Sequence, residues 1–298
     1  MVQTPAAIFV EYANQVRSEI ESALTRYTEY DADCPSRLRE AMRHSLLAPG
    51  KRLRALLVLM AAEACGCTRE AAMPAAAAVE MVHTYSLIHD DLPAMDDDAL
   101  RRGLPTCHIV FGEALAILAG DALLARAFEV LASGIQPASV AARCCAELGC
   151  AAGASGLVGG QSDDLASQFA AGDLRLLEQI HRRKTGALIG VSLKLGALAA
   201  QAATADIECL DVYGQKLGLA FQIVDDLLDI HGNESDVGKR TGKDRDHGKL
   251  TFPSLLGIAE SKERARQLVS EACEAIDSFA ARGNRLAALA HFVVERDR

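Results

Sequence analysis

The sequence contains no tryptophan, and aromatic residues make up only 4% of its 298 residues. It also lacks a stretch of alternating apolar and polar residues long enough to indicate a half-buried strand. Half of the residues are hydrophobic, with alanine and leucine dominant, and both residues favour helix. We therefore predict one all-α domain over residues 1–298, with ten or more helices and no linker.

An excess of positive charge and a targeting segment are also missing. The net charge is −9, so a nucleic acid is not an expected partner. The N-terminal residues are mixed polar and amphipathic, without a basic-then-apolar leader, and the expected location is the cytoplasm. The apolar run from Thr185 to Ala205 carries Lys194 in its middle, so we interpret it as a buried core helix and not as a membrane span.

Two familiar cofactor signatures are absent. There are nine cysteines but no matching pair of CxxC motifs, which argues against zinc and favours reduced cysteines in the core. The basic, glycine-rich segment from Gly232 to Lys249 contains no GxxxxGK[ST] motif, so it is not a P-loop. Its lysines and arginines nevertheless follow an acidic cluster directly, and we interpret the segment as a phosphate-binding loop.

The sequence does contain two aspartate clusters within apolar, helix-patterned segments. One runs from His89 to Asp98, and the other from Phe221 to Asp229. Carboxylates repel each other, and burying them unpaired is costly. Clustered oxygen ligands suit Mg²⁺, which phosphate oxygens usually complete. The two clusters therefore predict a site for phosphorylated substrates.

The two clusters differ in helical geometry. Gln222, Asp225, Asp226 and Asp229 fall at i, i+3, i+4 and i+7, which places them on one stripe of a helix. In the first cluster, Asp90 and Asp96 are about 240° apart on an ideal helix. A kink between Leu92 and Met95, favoured by Pro93, would bring them together. Asp91 and Asp98 share a face without distortion, and helix geometry leaves both arrangements open.

Basic groups flank these clusters. Lys51 and Arg54 lie three residues apart at the start of an apolar helix, Arg101 and Arg102 follow the first cluster, and Lys184 precedes Thr185 and Gly186. Arginine is suited to bidentate diphosphate binding. His83 lies on the stripe of Asp90, where a structural and a functional role are equally consistent with the pattern. Together these cations exceed what one phosphate group needs.

In these motifs the chain resembles the trans-isoprenyl diphosphate synthases, and in particular the bacterial short-chain farnesyl diphosphate synthases. The matching stretches occur in family order between about residues 48 and 257; they are LLAPGKRLRALLVL, MVHTYSLIHDDLPAMDDDALRRGLPTCH, AGDALL, GGQSDDL, KTGALI, FQIVDDLLD and GKRTGKDRDHGKLTFP. The resemblance implies an all-α bundle around a central cavity, usually assembled as a homodimer.

The resemblance also implies site residues. The two aspartate-rich motifs match Asp90, Asp91, Asp96, Asp225, Asp226 and Asp229. The expected ligands of Mg²⁺, with three ions when the allylic diphosphate is bound and Mn²⁺ as a substitute, are Asp90, Asp91, Asp96, Asp225 and Asp229. Asp96 is thereby selected over Asp98. Further positions expected to bind the allylic substrate or to act in catalysis are Arg101, Lys184, Thr185, Phe221, Gln222, Lys239 and Lys249. Gly50, Lys51, Arg54, His83 and Arg102 match the isopentenyl diphosphate site.

The implied reaction joins isopentenyl diphosphate to dimethylallyl or geranyl diphosphate, giving farnesyl diphosphate and diphosphate. Tyr85 and Ser86, five and four residues before Asp90, match the positions that set product length. A geranylgeranyl or geranyl diphosphate synthase is the near alternative. An HD-type metal phosphohydrolase, suggested by His83 and His89-Asp90, is the alternative from another class, but it leaves Asp225–Asp229 and the lysines unexplained.

Overall fold

The protein is described by a computed structural model that covers residues 4–167, 172–231 and 250–295. Nearly all of these residues are helical, which confirms the predicted all-α class. The α-helices are α1 (Pro5–Tyr27), α2 (Ser36–Leu46), α3 (Leu53–Ala64), α4 (Arg69–Asp90), α5 (Cys107–Phe111), α6 (Glu113–Gly134), α7 (Ala138–Ala152), α8 (Leu157–Ser167), α9 (Leu174–His181), α10 (Ala187–Ala199), α11 (Thr204–His231), α12 (Phe252–Leu256), α13 (Ile258–Ala275) and α14 (Asn284–Glu295).

Three short elements interrupt the helices. Two-residue strands β1 (Leu100–Arg101) and β2 (Leu104–Pro105) pair antiparallel, with Arg101 opposite Leu104. Arg102 and Gly103 turn the ribbon with φ values of 54° and 78°, as a tight hairpin requires. A π-helical turn, Arg182–Gly186, joins α9 to α10, and a 3₁₀ segment, Asp277–Gly283, precedes α14.

The core is built around α4, which packs against α3, α6 and α10. Buried residues occur on every face of α3 and α10, as expected for helices enclosed by the core. Outside this centre, α11 packs on α10 and α13, and α1 packs on α14. The apolar run from Thr185 thus forms a core helix, and no helix in the described ranges is long and apolar enough to cross a membrane.

The two aspartate clusters lie on two long helices. Asp90 is the last residue of the 22-residue α4 and Asp91 its C-cap, while Asp225 and Asp229 lie on α11. The carboxyl end of a helix carries a partial negative charge. Carboxylates at the end of α4 are therefore disfavoured unless a cation compensates them, so this end of α4 attracts cations.

Candidate active site

The chain reverses after α4 in the way that the first cluster requires. The Asp96 amide donates to the Asp90 carbonyl oxygen at 2.9 Å, and the Asp98 amide donates to that of Asp91 at 3.2 Å. Asp97 takes a left-handed conformation, with φ at 49°, which a non-glycine residue adopts only at a cost. The predicted kink between Leu92 and Met95 is therefore present, and it returns Asp96 to Asp90.

Burial and mutual repulsion raise the pKa values of carboxyl groups in the first cluster. Burial raises the pKa of Asp90 to about 6; nearby Lys184 opposes this shift and Asp96 adds to it. Burial also raises the pKa of Asp91, although Arg101 Nε lies 2.7 and 2.9 Å from its two carboxylate oxygens. Arg101 thus compensates part of the negative charge, contacting Asp98 at 3.5 Å as well as Asp91.

The second cluster divides into two environments, which its helical stripe did not indicate. Asp226 is buried, and its Oδ2 accepts a hydrogen bond of 2.8 Å from the Phe252 amide at the start of α12. His181 Nε2 lies 3.8 Å from the same oxygen, and its ring stacks on Phe252. Asp225 is exposed and Asp229 half-buried. Asp226 therefore ties α11 to α12, whereas the Asp225 side chain is exposed.

A compact cationic cluster gathers most of the residues expected to bind isopentenyl diphosphate. Burial lowers the pKa of His83, and Arg54 and Arg102 lower it further. Gly50 lies so close to the Arg102 guanidinium that a Cβ would overlap it. The Arg54 Nε is buried and has no hydrogen-bond partner in the described part of the chain. A buried donor without an acceptor is costly, and an anionic ligand would supply the acceptor.

The other predicted residues are distributed around these groups. Lys51 and Phe221 line one cavity of about 180 Å³ between α1, α14 and the ends of neighbouring helices. Thr185 lies in the π-helical turn beside Lys184, and Gln222 is half-buried on α11. Tyr85 and Ser86 are buried on α4. Lys239 and Lys249 lie outside the described residues.

Pairwise interactions place the clusters in one region. The positive charge of Lys184 lowers the pKa of Asp90. The π-helical turn that contains Lys184 packs against α11, where Gly218 lies close to Gly186. Arg54 interacts electrostatically with Asp225 and with Arg102. The aspartate clusters and the buried cations therefore border one another.

The comparisons agree with this arrangement. The family model described as Polyprenyl synthetase matches residues 35–284. The chain belongs to the polyprenyl synthetase family. It is 43% identical to the farnesyl diphosphate synthase of Geobacillus stearothermophilus, over 96% of this chain and 97% of that protein. It is 48% identical to the geranylgeranyl diphosphate synthase of Cyanophora paradoxa, over 88% and 89%. An apo crystal structure of an FPP/GFPP synthase from Zymomonas mobilis superposes with a TM-score of 0.87 at 37% identity, covering 97% of this chain and 99% of that one.

These findings confirm the predicted family, fold class and enzyme type, and this chain is a prenyltransferase. Polyprenyl synthetases use a divalent metal to bind diphosphate. Within 4–167, 172–231 and 250–295, no three or more His, Cys, Asp or Glu side chains are already grouped as a complete metal site. Mg²⁺ fits carboxylates that are arranged in this way, because it needs only one or two of them and completes its coordination shell with water and substrate phosphates.

Gln161 on α8 supports this fit and was missed from the sequence. Its Nε2 donates to Asp90 Oδ1 at 2.7 Å, while its buried Oε1 accepts no hydrogen bond from any described residue. Water molecules on a cation beside Asp90 would supply donors to that oxygen. GGQSDDL is one of the motifs that carry the resemblance, but a lone glutamine in it gives no local signal of contact with a residue 71 positions away.

We expect alanine substitutions at Asp226 and Asp225 to separate stability from activity. Asp226→Ala leaves the buried Phe252 amide without an acceptor, which lowers the free energy of unfolding by about 1–3 kcal/mol. Asp225→Ala removes an exposed carboxylate, so the free energy of unfolding changes by less than about 1 kcal/mol. Its activity falls by at least about tenfold if it binds the metal. Urea denaturation without Mg²⁺ and steady-state turnover measure the two effects. An equal loss of stability in both variants would contradict the division of the cluster.

Proposed function

We propose that this prenyltransferase condenses isopentenyl diphosphate head-to-tail with dimethylallyl and then geranyl diphosphate, releasing diphosphate and forming farnesyl diphosphate. One observation supports this most: the aspartate clusters and a buried cationic cluster lie side by side. A diphosphate bound through metal suits the first environment, and a diphosphate bound directly by arginine and lysine suits the second. An enzyme that hydrolyses a single phosphorylated substrate needs only one of these two environments.

The allylic diphosphate belongs at the aspartates and Lys184. Asp90, Asp91, Asp96, Asp225 and Asp229 would hold Mg²⁺, which would neutralise the departing diphosphate as the allylic C–O bond breaks. Arg101 holds the Asp91 carboxylate through its Nε and Nη2, which fixes the direction of that carboxylate. Lys184 supplies a positive charge next to Asp90.

Isopentenyl diphosphate belongs at Gly50, Lys51, Arg54, His83 and Arg102. Arg52 and Glu80 form a buried pair, in which the Arg52 guanidinium lies 3.9 Å from Glu80. Glu80 Oε1 also accepts a hydrogen bond from the Ala55 amide at 3.1 Å. This buried pair anchors the start of α3, from which Arg54 projects. Holding both substrates in one geometry supplies much of the rate. The double bond of isopentenyl diphosphate attacks the allylic C1, and the proton lost from the new cation passes to the released diphosphate.

Elongation by the purified enzyme tests the proposed function. With Mg²⁺ and isopentenyl diphosphate, we expect both dimethylallyl and geranyl diphosphate to yield farnesyl diphosphate, identified by chromatography after dephosphorylation. Asp90→Asn is the matched inactive control, because it keeps the side-chain shape and removes the charge. Absence of elongation with every allylic substrate contradicts the proposal, and phosphate release from one substrate alone indicates a phosphohydrolase.

Tyr85 is the residue that we expect to limit product length. It lies about 7.5 Å along the axis of α4 from Asp90, is buried, and its ring meets that of His89 edge-on at 5.6 Å between centroids. Tyr85→Ala would open space below the allylic site, so products longer than farnesyl diphosphate should appear. Tyr85→Phe keeps the ring and should keep the product. Identical product lengths for wild type and Tyr85→Ala would contradict this role for Tyr85.

A homodimer remains the expected assembly. Apolar side chains that are about half exposed line α5 and α6; they are Ile109, Val110, Ile117 and Leu118. An exposed apolar patch on adjoining helices suits burial against a second copy. Light scattering should give twice the mass of one chain, and Leu118→Glu should lower it. A monomeric wild type would contradict this expectation.

The predicted cytoplasmic location stays a prediction.

A further inference from the structure

The motif GGQSDDL on α8 contacts residues on two sides of the proposed allylic site. Gln161 Nε2 donates to Asp90 Oδ1 at 2.7 Å. One helical turn later, Asp164 Oδ2 accepts from Lys184 Nζ at 2.6 Å. Residues three apart project from the same side of a helix. One side of α8 therefore contacts an aspartate expected to bind metal and a lysine expected to bind diphosphate.

The backbone brings α8 close enough for these contacts. Gly160 packs against the backbone of Arg183 and Lys184, and a Cβ at this position would overlap the Lys184 nitrogen. The segment from Arg182 to Gly186 is a π-helical turn, a feature found mostly at functional sites. Within this turn, Lys184 contacts Asp164 and its neighbour Arg183 contacts Asp163, each at 2.6 Å.

We propose that Gln161 and Asp164 are positioning residues that hold Asp90 and Lys184 at a fixed separation for one diphosphate. The inference rests on the proposed function, since it assumes that both groups bind the allylic substrate. Gln161 fixes the Asp90 carboxylate through one oxygen and leaves the other for a cation. Asp164 holds the flexible lysine side chain in one place, so less conformational entropy is lost when the diphosphate arrives.

The adjacent residue Asp163 provides a matched control. Asp163 and Asp164 are neighbours on α8, and each pairs with a cation of the same π-helical turn at 2.6 Å. Only Lys184, and not Arg183, is expected to bind substrate. Asp163→Asn and Asp164→Asn therefore remove ion pairs of equal length from the same two elements, with the Asp163 pair the more exposed. A purely structural role predicts no selective change in the KM for one substrate in either variant.

Steady-state kinetics with geranyl and isopentenyl diphosphate separate these possibilities. For Asp164→Asn we expect the KM for geranyl diphosphate to rise about tenfold, as is typical for partners that orient a binding group. The KM for isopentenyl diphosphate should stay within about twofold. Asp163→Asn should leave both KM values within about twofold.

Gln161→Met tests the other contact independently, because methionine keeps the length of the side chain and removes the donor. The Mg²⁺ concentration for half-maximal activity should rise at least about threefold, with Asp163→Asn unchanged. The inference is overturned if wild type elongates but the two Asn variants share one KM profile, if Asp164→Asn lowers the KM for geranyl diphosphate, or if Gln161→Met leaves the Mg²⁺ dependence unchanged. A wild type that does not elongate contradicts the proposed function instead.

Discussion

Buried negative charge at the carboxyl end of α4 is the constraint on which the rest of the site depends. Asp90 and Asp91 end α4, and Asp225 and Asp229 lie on α11. The dipole of α4 opposes carboxylates at its end, and burial raises the pKa of Asp90 and Asp91. A divalent cation would offset this charge. Arg101 compensates part of the charge, and Lys184 stands beside it.

The core makes this arrangement rigid. Since α4 is enclosed by α3, α6 and α10, its last turn has little freedom to move. Small residues let the surrounding elements approach: Gly120 on α6 lies against the His89 ring, and Gly160 on α8 lies against the backbone of Lys184. Three of the positive-φ residues that are not glycine, Arg52, Asp97 and Arg102, border the site. Strained backbone of this kind persists where the surrounding structure enforces it.

Local rules in the sequence predicted much of this molecule. Helical class and the core position of the run from Thr185 follow from composition and periodicity, which act over a few residues, whereas helix geometry left open whether Asp96 or Asp98 joins the first cluster. Asp226 shows the limit of such rules. Its spacing matches that of Asp225 and Asp229. Its carboxylate, however, accepts a hydrogen bond from the Phe252 amide, 26 residues away in the chain, and local spacing does not predict that contact. The contacts of Gln161 and Asp164 were not predicted for the same reason, because their partners lie on other elements of the fold.

The central claim is that one diphosphate is bound through metal and the other by side-chain cations alone. Calorimetric titration of the unreactive geranyl thiolodiphosphate and of isopentenyl diphosphate, each with Mg²⁺ and with a chelator, tests it most directly. The account predicts that geranyl thiolodiphosphate binds only with Mg²⁺, while isopentenyl diphosphate binds in both conditions. Loss of both ligands on chelation, or of neither, would contradict it.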